Sequence, residues 1–229
     1  MVEDGFIRSI ERMQEGLSGF FWDALLALRL NGISGDYVEF GSWGGNTIHH
    51  AYETVRDLGQ SRHLWAFDSF DVFPEVTDPR DERWKTGLGG IGGKGIAEFY
   101  ETCDRNGIPR DAYTAIEGYF DQTLPRLGVS DAPADIALAY IDCNMYSSTV
   151  TVFDFLAPRL KHGMIIGFDD YYCWSQSRVS GERLALHEFL ASNPRWNFCR
   201  FKDIHWCGTS FVVEDADQLP KLDGHRINI

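Results

Sequence analysis

Three aspartates stand where two apolar segments of the chain give way to polar residues. Asp142 closes the segment "AYID", and Asp169 with Asp170 closes "GMIIGFDD" 27 residues further along. Converging carboxylates repel one another, so they require either a bound cation or raised pKa values. Oxygen ligands with open positions suit Mg²⁺, which keeps several waters and also binds substrate oxygens. The pattern therefore predicts a metal site, with helix capping or the start of a solvated loop as the alternative role.

A glycine-rich turn follows another apolar segment, within "GDYVEFGSWGGNT" at residues 35–47. Glycines let the backbone approach a ligand, and the N–H groups at the start of the next helix favour an anion. The spacing is not GxGxxG, because Trp43 and Gly44 interrupt it. Asp68, at the end of the next apolar segment, can accept two hydrogen bonds from a ribose diol. These features predict a pocket for S-adenosylmethionine (SAM), and a tight strand-to-helix turn alone is the alternative explanation of the glycines.

Alternating strands and helices must position these residues. Apolar segments that we interpret as strands are "DYVEF", "HLWAFD", "AYTAIE", "AYID" and "MIIGF". Strands that alternate with helices predict an α/β fold with a parallel sheet covered on both faces. The segment "NFCRFKDIHWCGTSFVVE" predicts a closing antiparallel pair. In such sheets ligands bind beyond the carboxyl ends of the strands, where the acids and glycines fall.

Two further segments lie outside this alternating pattern. Residues 1–34 form a predicted N-terminal helical segment, in which Gly16 and Gly19 indicate a break. Residues 71–95 are rich in proline, glycine and charge, and predict a long loop that is either functional or disordered. A length of 229 residues fits one large domain spanning 1–229.

Composition and charge exclude several classes of protein. The net charge of −13, without a run of lysine or arginine, disfavours nucleic acid and anionic membranes as partners. No apolar run reaches membrane-spanning length, and the early acids are not typical of a secretory signal. The five cysteines lack any CxxC spacing, so they indicate neither a disulfide framework nor a zinc site. We therefore expect a reduced, cytoplasmic protein.

Five blocks of the sequence together resemble the macrocin/mycinamicin-type sugar O-methyltransferases. The blocks are "GDYVEFGSWGGNT", "WAFDSFDVFPE", "EGYFDQTLP", "YIDCNMYSST" and "GMIIGFDDYY", in the family's order across residues 35–175. The resemblance implies a class I, SAM-dependent and Mg²⁺-dependent enzyme that methylates a sugar hydroxyl. It also implies a Rossmann-like fold with a mainly parallel seven-stranded sheet, an antiparallel C-terminal edge and a homodimeric assembly.

The resemblance implies a role for each block. The residues that would contact SAM are Glu39, Gly41, Ser42, Trp43, Thr47, Asp68, Ser69, Glu117 and Gly118. Asp142, Asp169 and Asp170 would bind Mg²⁺. Asp142 is also the predicted catalytic base, because it would lie nearest to both metal and acceptor. The alternative base is a histidine, one of His49, His50, His162, His187 and His205. The loop at 71–95 would be a lid over the acceptor.

Departures from the family pattern leave alternatives open. The family often has a second aspartate where this chain has Asn144, and catechol-type relatives have a lysine base where this chain has Met145. A non-catalytic SAM or sugar binder, a methyltransferase for a phenol-like hydroxyl and a nicotinamide dehydrogenase are the competing hypotheses. The acceptor also stays open between a deoxysugar on a macrolide, a nucleotide sugar and a mannose-type oligosaccharide.

Overall fold

The computed structural model describes residues 2–82, 84, 93–173 and 179–218, with side chains from residue 7 onward. A seven-stranded sheet has the order β3-β2-β1-β4-β5-β7-β6. Its strands are β1 (Asp36–Phe40), β2 (Leu64–Asp68), β3 (Tyr113–Glu117), β4 (Ile136–Ile141), β5 (Ile165–Phe168), β6 (Trp196–Asp203) and β7 (Thr209–Asp215). The described α-helices are α1 (Val2–Leu30), α2 (Asn46–Asp57), α3 (Gly95–Arg105), α4 (Phe120–Thr123), α5 (Tyr146–Leu156) and α6 (Gly181–Ser192). None of these helices combines the length and apolar character needed to cross a membrane.

The sheet brings the predicted strand ends to one edge. The first five strands pair in parallel, whereas β7 runs antiparallel to both β5 and β6. Phe40 lies opposite both Phe67 and Ile141, and Ile141 lies opposite Phe168. The residues that follow these four positions are Gly41, Asp68, Asp142 and Asp169. The predicted parallel sheet with an antiparallel C-terminal edge is confirmed.

Alternate residues of the central strand β4 face two separate cores. Leu138 and Tyr140 pack with α1, α2 and α3, whereas Ala139 and Ile141 pack with α5 and α6. All six residues of β4 are buried, as expected for a strand that helices cover on both sides. Each fully buried aliphatic side chain stabilises the fold by about 1.5–3 kcal/mol. The strand that ends at Asp142 is therefore firmly held.

The predicted break in the N-terminal helix is wrong. α1 runs without interruption from Val2 to Leu30. A glycine inside a helix costs about 1 kcal/mol relative to alanine. At Gly16 the missing side chain serves packing, because a Cβ there would lie only 2.1 Å from the carbonyl oxygen of Ile204. Gly16 therefore seats α1 against the end of β6 instead of bending the helix.

The long loop begins and ends at one place. Of residues 71–95, the structure describes 71–82, 84 and 93–95, and the rest lie outside the described residues. The Gly95 N–H donates to the Phe70 carbonyl at 3.0 Å, so the two ends of the loop meet. A short 3₁₀ helix at Pro79–Asp81 lies within it. Loops with closely spaced ends and internal packing are frequently functional.

Candidate active site

A cavity of about 560 Å³ lies beyond the carboxyl ends of the parallel strands. This volume is within the range of small-ligand sites. The predicted site residues that line it are Gly41, Trp43, Asp68, Ser69, Asp142, Asp169 and Asp170. The glycine turn and the three acids therefore line the same cavity.

Five other predicted residues do not line the cavity. Glu39, Ser42 and Thr47 are buried next to it, within β1, the turn and α2. Glu117 is exposed at the end of β3, and the Gly118 N–H donates to the Asp68 carbonyl at 2.9 Å. Their predicted contacts with SAM stay predictions.

Sequence reasoning missed part of the lining. Met13 of α1 and the α5 residues Ser147, Ser148 and Thr151 face the cavity. Ser147 and Ser148 lie within the block "YIDCNMYSST" but had no assigned role, and no motif includes Met13 or Thr151. The positions of all four depend on how the helices cross the sheet edge. The loop residues 71–75 and Thr77 also line the cavity, as the lid prediction requires.

Asp68 organises the glycine turn through its carboxylate. One oxygen, Oδ2, accepts hydrogen bonds from the backbone N–H groups of Ser42 and Trp43, both at 2.7 Å. The other, Oδ1, accepts from the Phe70 N–H at 2.7 Å. The Ser69 hydroxyl also lies 3.5 Å from Oδ1, a contact long enough for a donor in the cavity to replace it. Asp68 thus fixes the turn and still presents an acceptor to a ligand.

The turn after β1 places backbone N–H groups at the cavity edge. Gly45 precedes α2 with a φ of 80° and has no side chain with which to cap the helix. The first N–H groups of a helix have no partner within the helix and attract anions. Trp43 is 45% exposed, and the Lys94 ammonium lies 4.1 Å from its ring centroid. Lys94 thereby ties the end of the long loop to the turn.

Gly41 allows β1 and β4 to approach closely at their ends. The Asp142 N–H donates to the Phe40 carbonyl at 2.8 Å. Gly41 has a φ of 95°, and a Cβ there would lie 1.9 Å from the Asp142 carbonyl oxygen. Only glycine fits this backbone position. The glycine that is predicted to face SAM therefore also positions Asp142, the first of the three predicted metal ligands.

Glu39 is fully buried at the base of the turn. Its Oε2 accepts a hydrogen bond from the Tyr37 hydroxyl at 2.6 Å. Its Oε1 lies near the Ser42 and Thr47 hydroxyls, but it has no hydrogen bond of normal geometry among the described residues. Burial raises the pKa of Glu39 to about 7, and the nearby hydroxyls offset part of that effect. A buried acceptor of this kind suits a cationic or N–H-bearing ligand.

Replacing Glu39 with glutamine is expected to flatten the pH dependence of stability. The folded protein holds this proton up to about pH 7, whereas the unfolded chain releases it near 4.5, its ordinary value. The free energy of unfolding therefore falls as pH rises between these values, by on the order of 3 kcal/mol. In denaturant titrations from pH 4 to pH 8, the free energy of unfolding of Glu39→Gln should lack that part of the decline. The exposed Glu117→Gln is the control, and an equal effect there would contradict the assignment.

The three aspartates form one cluster. Carboxylate oxygens of Asp142, Asp169 and Asp170 all lie within 4.8 Å of one another, and all three residues are half-buried. Burial, and then the charges of Asp169 and Asp170, raise the pKa of Asp142 well above its usual range. Oxygen ligands in this number and spacing fit Mg²⁺, which would relieve the repulsion.

Glu182, at the start of α6, is a buried carboxylate that sequence reasoning missed. Its Oε1 accepts from the N–H groups of Cys143 and Asn144, at 3.1 and 3.3 Å. Its Oε2 accepts from the Asp170 N–H at 3.0 Å. Burial, and then the charge of Asp170, raise the pKa of Glu182 well above its usual range. One side chain therefore holds the two acid-bearing loops in a fixed relation.

Tyr140 and His205 orient Asp169. The Tyr140 hydroxyl donates to Asp169 Oδ1, and the His205 Nε2 lies 2.9 Å from the same oxygen. His205 comes from the loop between β6 and β7, and its side chain is 2% exposed. Sequence reasoning could not rank His205 above the other histidines, because the contact of His205 with Asp169 depends on the antiparallel edge folding back onto β5.

Asp81 anchors the long loop to α5. This fully buried aspartate accepts from the Tyr146 N–H at 2.6 Å through Oδ1 and from the Ser147 N–H at 3.0 Å through Oδ2. The helix has no side-chain cap of its own at Met145. Asp81 therefore supplies the capping acceptor from a distant part of the chain and places negative charge at the positive end of the helix.

Asp81→Ala is expected to destabilise the protein by about 2 kcal/mol, the upper range for a lost helix cap. Two buried N–H groups of α5 would lose their acceptor, and the base of the loop would detach. Thermal unfolding measures the loss. Asp81→Asn keeps one acceptor oxygen and should recover part of the stability. An unchanged melting temperature in Asp81→Ala would contradict the capping role.

Comparison with known proteins gives three relevant matches. A family described as Macrocin-O-methyltransferase (TylF) matches residues 17–193. The 8-demethyl-8-(2,3-dimethoxy-alpha-L-rhamnosyl)-tetracenomycin-C 4'-O-methyltransferase of Streptomyces olivaceus is 30% identical over 165 residues, covering 69% of this chain and 59% of that protein. Mycinamicin III 3''-O-methyltransferase of Micromonospora griseorubida is 31% identical over 176 residues, covering 71% of this chain and 63% of that protein. The chain thus spans about three fifths of the length of these curated relatives.

Among solved structures, the O-methyltransferase NovP superposes with a TM-score of 0.73 at 20% sequence identity. The superposition covers 86% of this chain and 79% of NovP. It confirms the predicted class I methyltransferase, Rossmann-like fold. The family match contains the glycine turn and all three clustered aspartates. The chain therefore belongs to the macrocin O-methyltransferase (TylF) family.

Proposed function

We propose that the protein is a SAM-dependent O-methyltransferase that methylates a sugar hydroxyl. One observation carries this proposal: the Asp142, Asp169 and Asp170 cluster and the Asp68 turn line the same cavity. The names of the two curated relatives, both sugar O-methyltransferases, support it.

The residues of this chain have separate tasks in the proposed reaction. When bound, SAM supplies the methyl group and Mg²⁺ acts as a Lewis acid beside the sugar hydroxyl. Asp68 would hold the ribose, and Glu39, buried at the base of the glycine turn, would support the turn that faces the methionine end of SAM. Asp169 and Asp170, with Asp142, hold Mg²⁺.

Asp142 is the proposed base. Its carboxylate, which lines the cavity at the end of β4, would accept the proton of the sugar hydroxyl. The fixed relation of the two acid-bearing loops through Glu182 keeps the carboxylate aligned with the cavity. Alignment of the reacting groups removes a large part of the barrier to displacement.

Methyl transfer from isotope-labelled SAM to a panel of glycosides tests the function. We expect transfer in the presence of Mg²⁺ and loss of transfer after complete metal removal with EDTA. Transfer that persists without metal would exclude the metal mechanism. SAM binding without transfer to any acceptor would favour the non-catalytic binder, and binding of a nicotinamide nucleotide in place of SAM would favour the dehydrogenase.

The charge of the cavity favours a neutral glycoside over a nucleotide sugar. Its lining includes the carboxylates of Asp68, Asp71, Glu75, Asp121, Asp142, Asp169 and Asp170. No lysine or arginine lines it within the part of the chain that the structure describes. The apolar surfaces of Val72, Phe73 and Tyr119 complete the wall beside the long loop. A diphosphate would meet repulsion here, whereas an uncharged sugar ring would not.

We expect kcat/KM for a neutral glycoside to exceed kcat/KM for the nucleoside-diphosphate derivative of the same sugar by at least about tenfold. The difference should narrow at high ionic strength, because salt screens the repulsion. Glu75→Gln should also narrow it, whereas Glu117→Gln, outside the cavity, should not. Equal use of both acceptors at low salt would contradict the proposed acceptor class.

We further propose that residues 1–229 act as one domain, with the loop at 71–95 as a lid over the acceptor. A homodimer in the reducing cytoplasm is the proposed working form, and five cysteines without a disulfide support the reducing compartment. Light scattering of the purified protein tests the assembly.

A further inference from the structure

A second group of metal-ligating atoms lies beside the aspartate cluster. Cys173 Sγ lies 3.0 Å and Cys207 Sγ 3.9 Å from Asp170 Oδ1, and the three atoms are within 4.8 Å of one another. The two thiol groups are also within hydrogen-bonding reach of each other. Cys173 is half-buried, and Cys207 is 2% exposed. Two sulfur atoms and one carboxylate oxygen therefore converge in the folded chain.

His205 adds a nitrogen next to this group. The Cys207 N–H donates to His205 Nδ1 at 3.4 Å, so Nδ1 is the acceptor nitrogen and Nε2 carries the proton that points to Asp169. Nδ1 also lies 3.5 Å from Cys207 Sγ. His205 therefore connects Cys207 to Asp169 and holds this cysteine beside the aspartate cluster.

We propose that Cys173, Cys207 and Asp170 form a binding site for a soft divalent cation such as Zn²⁺, with solvent completing the coordination. In a tetrahedral zinc site the ligand atoms are separated by about 3.3–3.8 Å, as follows from bond lengths of about 2.0–2.3 Å. The separations of 3.0 Å between Cys173 Sγ and Asp170 Oδ1 and of 3.9 Å between Cys207 Sγ and Asp170 Oδ1 are close to that range. Sulfur selects zinc over Mg²⁺, which prefers oxygen ligands alone.

The site was hidden in the sequence because Cys173 and Cys207 are far apart and have no CxxC partner. They meet because the Tyr172 N–H donates to the Cys207 carbonyl at 2.8 Å, where the β6–β7 loop packs against the end of β5. The expectation that the cysteines form no zinc site rested on spacing alone.

The proposed site shares Asp170 with the proposed Mg²⁺ cluster. Zinc bound to the thiols would draw Asp170 away from Asp142 and Asp169 and so compete with Mg²⁺. This consequence, unlike the site itself, rests on the proposed function. Zinc is then expected to inhibit methyl transfer.

Titration of the reduced, metal-free protein with Co²⁺ in excess Mg²⁺ tests the site directly. Co²⁺ bound by thiolates gives a sulfur-to-metal charge-transfer band, which carboxylate ligands alone do not give. We expect one equivalent to produce the band in the wild-type protein. Cys173→Ser and Cys207→Ser should abolish it, whereas Cys199→Ser, on β6 away from the cluster, should keep it.

Cys173 is the more informative variant, because it is half-buried and its serine form keeps the fold more readily than that of buried Cys207. Thermal unfolding verifies that each variant is folded. Binding of Co²⁺ without the band, or a band that persists in Cys173→Ser, would overturn the proposal. In a transfer assay Zn²⁺ should inhibit the wild type more strongly than Cys173→Ser. Equal inhibition would overturn the shared use of Asp170, and the Co²⁺ result stands whether or not transfer is detected.

Discussion

Asp142→Asn is expected to lower the rate of methyl transfer by about 10³-fold while leaving SAM binding largely intact. The substitution removes one charged ligand from the proposed Mg²⁺ site and also removes the proposed base. Loss of a preorganised charge at a reacting centre costs about 10²–10³ in rate, and loss of a general base costs about 10²–10⁴. Asp68 and the glycine turn are unchanged, so calorimetry should still detect SAM.

The same variant should be more stable than the wild type when metal is absent. Burial and the charges of Asp169 and Asp170 raise the pKa of Asp142. Its ionisation at neutral pH therefore costs folding free energy, and this cost grows as pH rises above the ordinary range of an aspartate. Asparagine removes the charge at similar volume. The increase of melting temperature that Mg²⁺ gives to the wild type should largely disappear.

Asp121→Asn is the matched control, because Asp121 lines the cavity outside the aspartate cluster. It should keep the Mg²⁺-dependent increase of melting temperature. Normal turnover by Asp142→Asn would contradict both the role of Asp142 as a metal ligand and its role as the base. A fall in apo-protein stability would show that the three carboxylates do not repel one another.

Gly41→Ala is expected to destabilise the protein by more than about 3 kcal/mol, or roughly 10 °C in melting temperature. Two effects add. Alanine is strained at a φ of 95°, which costs about 1–3 kcal/mol. The new methyl group would also lie 1.9 Å from the Asp142 carbonyl oxygen, so the ends of β1 and β4 must separate. Activity should fall with stability, since both parts of the site shift.

Gly59→Ala separates these two effects. Gly59 has a φ of 60°, but nothing lies within 4 Å of the position that its Cβ would take. Alanine there carries only the conformational cost, about 1 kcal/mol. Equal destabilisation of the two variants would mean that the close approach at Gly41 has no energetic importance.

The sheet and its acid-bearing edge could be predicted because their signals are local. A buried parallel strand is recognisable in the sequence as an apolar run. The residue that follows the strand is then simply the next one along the chain. "AYID" and "GMIIGFDD" therefore placed Asp142 and the Asp169–Asp170 pair at the correct edge. The antiparallel pairing of β6 and β7 followed from their two strand-like segments.

The supporting contacts could not be predicted, because they depend on how distant elements pack. Glu182 looks like an ordinary first-turn glutamate of α6, and only the packing of α6 against α5 brings it beneath the acid-bearing loops. Gly16 looks like a helix breaker, yet it provides space for Ile204. Asp81 lies in a loop without periodicity, and its role as a cap requires the three-dimensional position of α5.

The close contact between the ends of β1 and β4 has a consequence for folding during synthesis. Gly41 and Asp142 are about 100 residues apart in the chain, yet their backbones touch. A nascent polypeptide that ends before β4 therefore lacks the aspartate cluster. It also lacks the strand end against which the glycine turn packs at Gly41. Pairing across so long a separation is slow, because the entropy of loop closure is lost before the contacts form. Ligands added during refolding should then stabilise only chains that have already joined these two strands.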